Sequence, residues 1–149
     1  MDPFITISYV HNKIYELPNM YQKILESVSV LNVIEYIKGL NKLFHDLIVA
    51  HFDLEEKEIF PAALAKAELG LEKVVSELIQ EHKDIIEKLS RLNEADAKLR
   101  VKADVTQKEK DDLIALCTEI TQRLTNHAQK EDEEFYPFLK NISFLSKYI

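Results

Sequence analysis

Two eleven-residue segments of this 149-residue chain carry the residue types that do chemistry, and they are written alike. The first runs His51-Phe-Asp-Leu-Glu-Glu-Lys-Glu-Ile-Phe-Pro61, the second His127-Ala-Gln-Lys-Glu-Asp-Glu-Glu-Phe-Tyr-Pro137. Aligned without a gap, each opens on His and places a Glu four residues on (Glu55, Glu131). A second acid comes next (Glu56, Asp132), then Glu58 and Glu134, two apolar residues and a Pro. Residues four apart on a helix stand one turn above each other on the same face. Each segment therefore presents one imidazole and one carboxylate in a single direction, which is how a helix offers nitrogen and oxygen to a metal ion.

The apolar positions decide which way that face points. Before His51 they run Val33, Ile37, Leu40, Phe44, Leu47, and the spacing continues through His51 and Glu55 to Glu58. Before His127 they run Leu113, Cys117, Ile120, Leu124, then His127 and Glu131. Steps of three and four mark a seam packed against other helices. Both His-Glu pairs thus fall in core register, where an unpaired carboxylate costs several kcal/mol and takes up a proton unless something balances it. A cation is the economical partner. The plainer alternatives are an exposed acidic face or a His-Glu hydrogen bond, and the in-register duplication argues against both.

Periodicity also delimits the elements that must position these residues. A first helical segment covers Met1 to about Ser27, with Phe4, His11, Ile14, Tyr21, Ile24 and Leu25 as inward candidates. Pro18 makes it either one kinked helix or a short lead-in before a helix starting at Leu17-Pro18. A second helix spans Val30 to about Ala65. His45 sits on it six residues before His51, about 120° around the axis, off the face of the His-Glu pair. Gly70 marks a turn, and a third helix from Leu71 to Ala95 has the seam Leu71, Val75, Leu78, His82, Ile85, Leu89, Leu92. His82 stands where an aliphatic residue would be expected. The charged stretch Ala95 to Thr106 reads as a connection closed by Thr106, an N-cap. The fourth helix is expected from Gln107 to Phe135. The apolar tail Phe138 to Ile149 is expected to pack on the bundle or on a neighbouring subunit. Four long helices with short connections imply an all-α fold, an antiparallel four-helix bundle in one domain over residues 1–149.

Composition narrows the function. Two glycines and four prolines exclude Gly-rich phosphate loops and many-turned β folds. A formal charge of −7 argues against nucleic acid and offers no polybasic membrane anchor. The single cysteine, Cys117, rules out a disulfide framework and reads as a buried hydrophobe. There is neither a signal-like opening nor a membrane-length apolar run, so a soluble cytoplasmic protein is expected.

Collected by helix, the inward polar residues are His11, then His51 and Glu55, then His82, then His127 and Glu131. Four imidazoles and two carboxylates suit non-haem iron, with manganese and zinc as competitors. Two ions sharing Glu55 and Glu131, each with two His, leave open positions for an oxo or hydroxo bridge and an exogenous ligand. The Glu-x-x-His pattern of ferritin-like carboxylate bundles is absent, which disfavours that class.

From His11 through Pro137 the chain resembles the hemerythrin-like, HHE cation-binding domains. The resemblance rests on HFDLEEKEIFP, on Glu81-His82 and on HAQKEDEEFYP. Within that family it looks most like the four-histidine di-iron domain of the Ric proteins, which act in repair of iron centres after nitrosative or oxidative stress. The resemblance implies metal ligands at His51, Glu55, His82, His127 and Glu131, and more loosely at His11, which precedes a Leu-Pro pair as the family's first His does. Oxygen-carrying hemerythrins have a further His one turn after the His82 position, where this chain has Ile86. That departure argues against reversible O2 carriage. The cysteine-bearing domain of many Ric proteins has no counterpart within these residues. The resemblance thus implies a di-iron protein acting on NO, O2 or peroxide, or donating iron to a protein partner with damaged iron centres. The alternatives are an iron or oxygen sensing module without turnover, and a bundle whose histidines are merely structural.

Overall fold

The computed structural model describes residues 3–27, 30–66, 70–100 and 104–139. Helix α1 is Pro3–Ser27 and α2 is Val30–Leu54. A single π-helical turn, Glu55–Ile59, leads directly into α3, Phe60–Leu64. Helix α4 is Glu72–Arg100, α5 is Gln107–Glu134, and the short α6 is Tyr136–Leu139. Among the described residues there is no strand, and no helix is long and apolar enough to cross a membrane.

The all-α reading holds, and cross-contacts give the antiparallel order. His11 meets Asp132 while Tyr21, ten residues on, donates to the Ile114 carbonyl, so α1 runs against α5. Glu55 meets His82 while Asn41 meets Asn93, so α2 runs against α4. Lys130 reaches Glu77 while Glu119 reaches Lys88, so α4 runs against α5. With α1 also packed on α2, the four long helices close a ring in the order α1, α2, α4, α5.

Several expectations need correction, though of the two alternatives at Pro18 the single helix holds: the residue lies inside α1. Its missing N–H and ring clash cost about 3 kcal/mol. Ile14, Leu17 and Tyr21 are buried around it, each worth about 1.5–3 kcal/mol, and packing wins. The second helix does reach the Ala65 region, but through the π turn, where the Phe60 N–H bonds to the Glu55 carbonyl five residues back. The extra residue in that turn leaves Glu58 exposed and turns Ile59 and Phe60 inward, so Glu58 does not continue the core stripe. Helix α4 extends past Ala95 to Arg100 because Leu99 prolongs its apolar seam. The burial expected of Phe4, Ile24, Leu25 and Val33, and of the tail beyond Leu139, lies outside the described residues.

Other positions fall where the pattern put them. Gly70 takes φ 63°, a left-handed conformation natural to glycine. Thr106 caps α5 reciprocally: the Glu109 N–H donates to Thr106 Oγ1 and the Thr106 N–H to Glu109 Oε1, both at 3.1 Å. Cys117 is fully buried, and burial pushes its thiol pKa up to about 12. All seven seam residues are buried, Leu71 just before α4 and the other six within it, His82 among them.

The core is two apolar clusters separated by a polar layer. One contains Ile14, Phe44, Ile48, Phe52, Ile85, Leu89 and Leu124, the other Ile7, Ile59, Phe60, Leu78, Phe135 and Tyr136. In each long helix the candidate ligands fall between members of the two clusters, so the layer is closed off by dry packing on both sides.

Candidate metal centre

All six residues singled out from the sequence lie in that layer. His11, His51, His82 and His127 are buried, and Glu55 and Glu131 are 0% exposed. Their atoms fall into two groups, each with ligating atoms within 4.8 Å of one another. Glu55, His82, His127 and Glu131 make one group; His11, His51 and Glu131 make the other. Glu131 belongs to both.

Each carboxylate sits against the histidine of an adjacent helix as well as its own. Glu55 Oε1 lies 3.1 Å from His82 Nε2 and 3.4 Å from His51 Nε2. Glu131 Oε1 lies 3.2 Å from His11 Nε2, 3.4 Å from His127 Nε2 and 3.7 Å from His51 Nε2. The Nε2 atoms of His82 and His127 face each other at 3.1 Å. All four imidazoles thus turn Nε2 inward and Nδ1 outward.

The outward nitrogens meet a second ring of acids. His11 Nδ1 donates to Asp132 Oδ1 at 2.7 Å, and His127 Nδ1 to Glu81 Oε1 at 2.7 Å. His82 Nδ1 has Glu56 Oε1 at 3.4 Å, too poorly aligned for a hydrogen bond but close enough for charge. A carboxylate behind a ligating imidazole fixes its tautomer and raises its basicity. Asp132 is held in turn by the Tyr15 hydroxyl at 2.6 Å, and Glu81 by Lys130 at 3.3 Å. Only His51 Nδ1 lacks both a hydrogen bond and an acid among the described residues. His82 is further fixed by its faces: Phe52 stacks on it at 3.7 Å between centroids, 9° from parallel, and Phe60 at 5.5 Å.

The electrostatics of the layer are those of two carboxylates too close to share a dry space. Burial and the neighbouring Glu55 charge push the Glu131 pKa well above the carboxylate range. Burial pushes Glu55 the same way, but His51, the Glu131 carboxyl beside it and His82 outweigh it and hold Glu55 low. Burial would lower His11, yet Asp132 and Glu131 raise it to about 9. Burial keeps His127 low in spite of Glu81.

The donor set fits a metal. His51 Nε2 and Glu131 Oε2 are buried with no hydrogen-bond partner, and both belong to ligand groups. Unsatisfied buried polar atoms are costly, and their convergence with three more imidazoles gives them a common acceptor in a cation. Six N and O donors without thiolate suit iron, manganese or zinc.

Several residues that hold this site are not singled out by sequence pattern. Tyr136 is the principal one: its hydroxyl donates to Glu55 Oε2. Burial and the Glu55 charge keep that phenol protonated by raising its pKa. Glu56 and Asp132 stand at equivalent places in the two segments, which is the available signal for them. Glu81 is marked only as the residue before His82 and Tyr15 not at all, because their roles depend on which helices become neighbours. His45, expected off the site, accepts a 2.7 Å hydrogen bond from Asn93 Nδ2 and belongs to neither ligand group.

Comparison with known families agrees with this geometry. The family model described as the hemerythrin HHE cation binding domain matches residues 3–139, and the chain belongs to that family. Neither the curated proteins nor the solved structures give a match to the chain.

Proposed function

We propose that the protein is a non-haem di-iron protein whose two ions are held by His11, His51, Glu55, His82, His127 and Glu131. The observation that carries this reading is the pair of ligand groups joined through Glu131. His82 and His127 serve one ion, His11 and His51 the other. Glu81 and Asp132 orient imidazoles from behind, Glu56 sets a charge behind His82, and Phe52 and Phe60 keep water from His82. Iron bound there would supply one-electron chemistry toward NO, O2 or peroxide.

The role that best suits this site is response to nitrosative or oxidative stress, by chemistry on those small ligands or by donation of iron to damaged iron centres of a partner protein. A cleft of about 300 Å³, lined by Glu81, Asp84, Arg123, Lys130 and His127 among others, supports access for a small ligand from the α4–α5 side. Reversible O2 carriage is disfavoured, because the position one turn after His82 is Ile86, whose side chain is 41% exposed and offers no nitrogen.

Metal analysis of protein from iron-replete cells tests the reading directly. The expected result is about two iron ions per chain, with the near-ultraviolet absorbance of an oxo-bridged ferric pair. Chelation should lower the melting temperature: a metal that binds only the folded state at a thousandfold excess over its Kd adds about 4 kcal/mol. That corresponds to about 10 °C for a chain of this length. Metal-free protein whose melting curve ignores added Fe(II) would overturn the proposal.

A further inference from the structure

The polar layer has an approximate two-fold symmetry that exchanges α1 with α4 and α2 with α5. It pairs His11 with His82, His51 with His127, and Glu55 with Glu131. Equivalent distances agree: Glu131 to His11 is 3.2 Å and Glu55 to His82 is 3.1 Å. Each His-to-own-Glu distance is 3.4 Å. The symmetry pairs Tyr136 with Phe60, since both are tenth in their segments. Here it fails. The Tyr136 hydroxyl takes Glu55 Oε2, whereas Phe60 has none to offer and Glu131 Oε2 is left without a partner.

The consequence is an unequal division of oxygens. Glu131 keeps a partnerless Oε2 while its Oε1 faces His11, His51 and His127. Glu55 directs only Oε1 at the imidazoles, and its other oxygen is turned to Tyr136, whose ring stands edge-on to His11 at 6.0 Å between centroids. The His82–His127 half accordingly gathers four ligands and the His11–His51 half only three. A second break adds to it. The residue before His82 is Glu81, which holds His127 from behind, but the residue before His11 is Val10, an alkyl group, and His51 Nδ1 has no partner.

We propose that Tyr136 is a positioning residue that makes the two half-sites unequal, by withholding one Glu55 oxygen from the His11–His51 half. The ion held by His82 and His127 is then the permanent one. The ion held by His11 and His51 is the exchangeable one. This rests on the di-iron reading of the proposed function. It deepens that reading by naming which ion is donated.

Anaerobic titration with Fe(II) against a chromophoric competing chelator reads the two affinities separately. In the wild-type chain we expect two steps at least tenfold apart, the size of effect that partners behind a ligand commonly have. Tyr136→Phe frees Glu55 Oε2 and should tighten the weaker step about tenfold, bringing the two together. A merely structural tyrosine would weaken both steps or neither. Two equal steps in the wild type, or a weaker second step in Tyr136→Phe, would overturn the inference while leaving the di-iron reading intact. Absence of any binding would overturn both. Should Tyr136→Phe fold poorly, His51→Ala decides the assignment: the tight step is expected to survive, and its loss with retention of the weak step would reverse it.

Discussion

The two His-Glu segments begin as near copies and end as different structures. Residues His51–Pro61 pass through a π-helical turn and continue into α3 without a break. Residues His127–Pro137 stay α-helical to Glu134 and then break at Phe135, whose φ is −124° and ψ −69°, before α6. Yet both segments perform the same three tasks for a histidine on a neighbouring helix. The fifth residue meets its Nε2, the sixth approaches its Nδ1, and the tenth packs an aromatic ring against it. Repetition of the acids is thus repetition of function, while the backbone path is free to differ. The informative differences are single atoms: a hydroxyl on Tyr136 that Phe60 lacks, and the alignment of Asp132 on His11 against that of Glu56 on His82.

The comparison breaks most severely at the carboxylates. Glu131 belongs to both ligand groups and Glu55 to one. Glu131→Gln should therefore drop iron from about two ions per chain to near none, whereas Glu55→Gln should retain about one. Glutamine keeps the volume, so a lost fold is not the expected cause; circular dichroism of each apo variant checks this. Equal losses in the two variants would mean that the segments are equivalent after all.

The outer acids sharpen the comparison at the next level down. Glu81→Gln removes the acceptor behind His127, and Asp132→Asn the one behind His11. Each should weaken the ion on its own side, by about tenfold. If the two halves are unequal, Asp132→Asn acts on the weaker step and Glu81→Gln on the tighter. Stepwise Fe(II) competition distinguishes the two patterns.

What periodicity encodes explains how much of this is legible in the sequence. Spacing of three and four residues fixes which side chains face inward, so the six candidate ligands and the seam of α4 can be read directly. It carries no information on whether a proline within a helix is tolerated, because Pro18 is decided by the burial of Ile14, Leu17 and Tyr21 against other helices. Nor does it reveal an added residue per turn, so it places Glu58 inside where the π turn leaves it exposed. Tyr136 stands within the repeated segment but reads as one apolar aromatic, since its hydroxyl gains meaning only once Glu55 lies opposite.

Acidity gives a third test, in the chelated protein, where His11 and His127 respond with opposite sign. The folded pKa of His11 is raised to about 9 from 6.5. Its stabilisation is full below pH 6.5 and is lost as pH rises through 9, about 3 kcal/mol at ~1.4 kcal/mol per unit. Glu131, also raised, adds a loss in the same direction as pH rises through its folded value. His127 is lowered, so its contribution is present above pH 6.5 and fades as pH falls below it. The apo melting temperature should fall between pH 6.5 and 9, and Asp132→Asn should flatten that fall by removing the bond that raises His11. An unchanged slope in the variant would mean that His11 is not the group responsible.

The smallest effect expected is at His45, and it guards the whole assignment. His45 shares α2 with His51, and helical geometry alone sets it about 120° away from the His-Glu face. It is half-buried on another face, where Asn93 Nδ2 donates to its Nε2 and Asn93 Oδ1 in turn accepts from Asn41 at 2.7 Å. Losing that bond should cost about 0.5–1 kcal/mol, because Asn93 is exposed and water can replace the partner. Metal content in His45→Ala should equal that of the wild type, whereas His11→Ala should lose the ion on the α1–α2 side and keep its neighbour. Loss of iron in His45→Ala together with full occupancy in His11→Ala would reassign the first-helix ligand and remove the symmetry on which the comparison of the two segments is built.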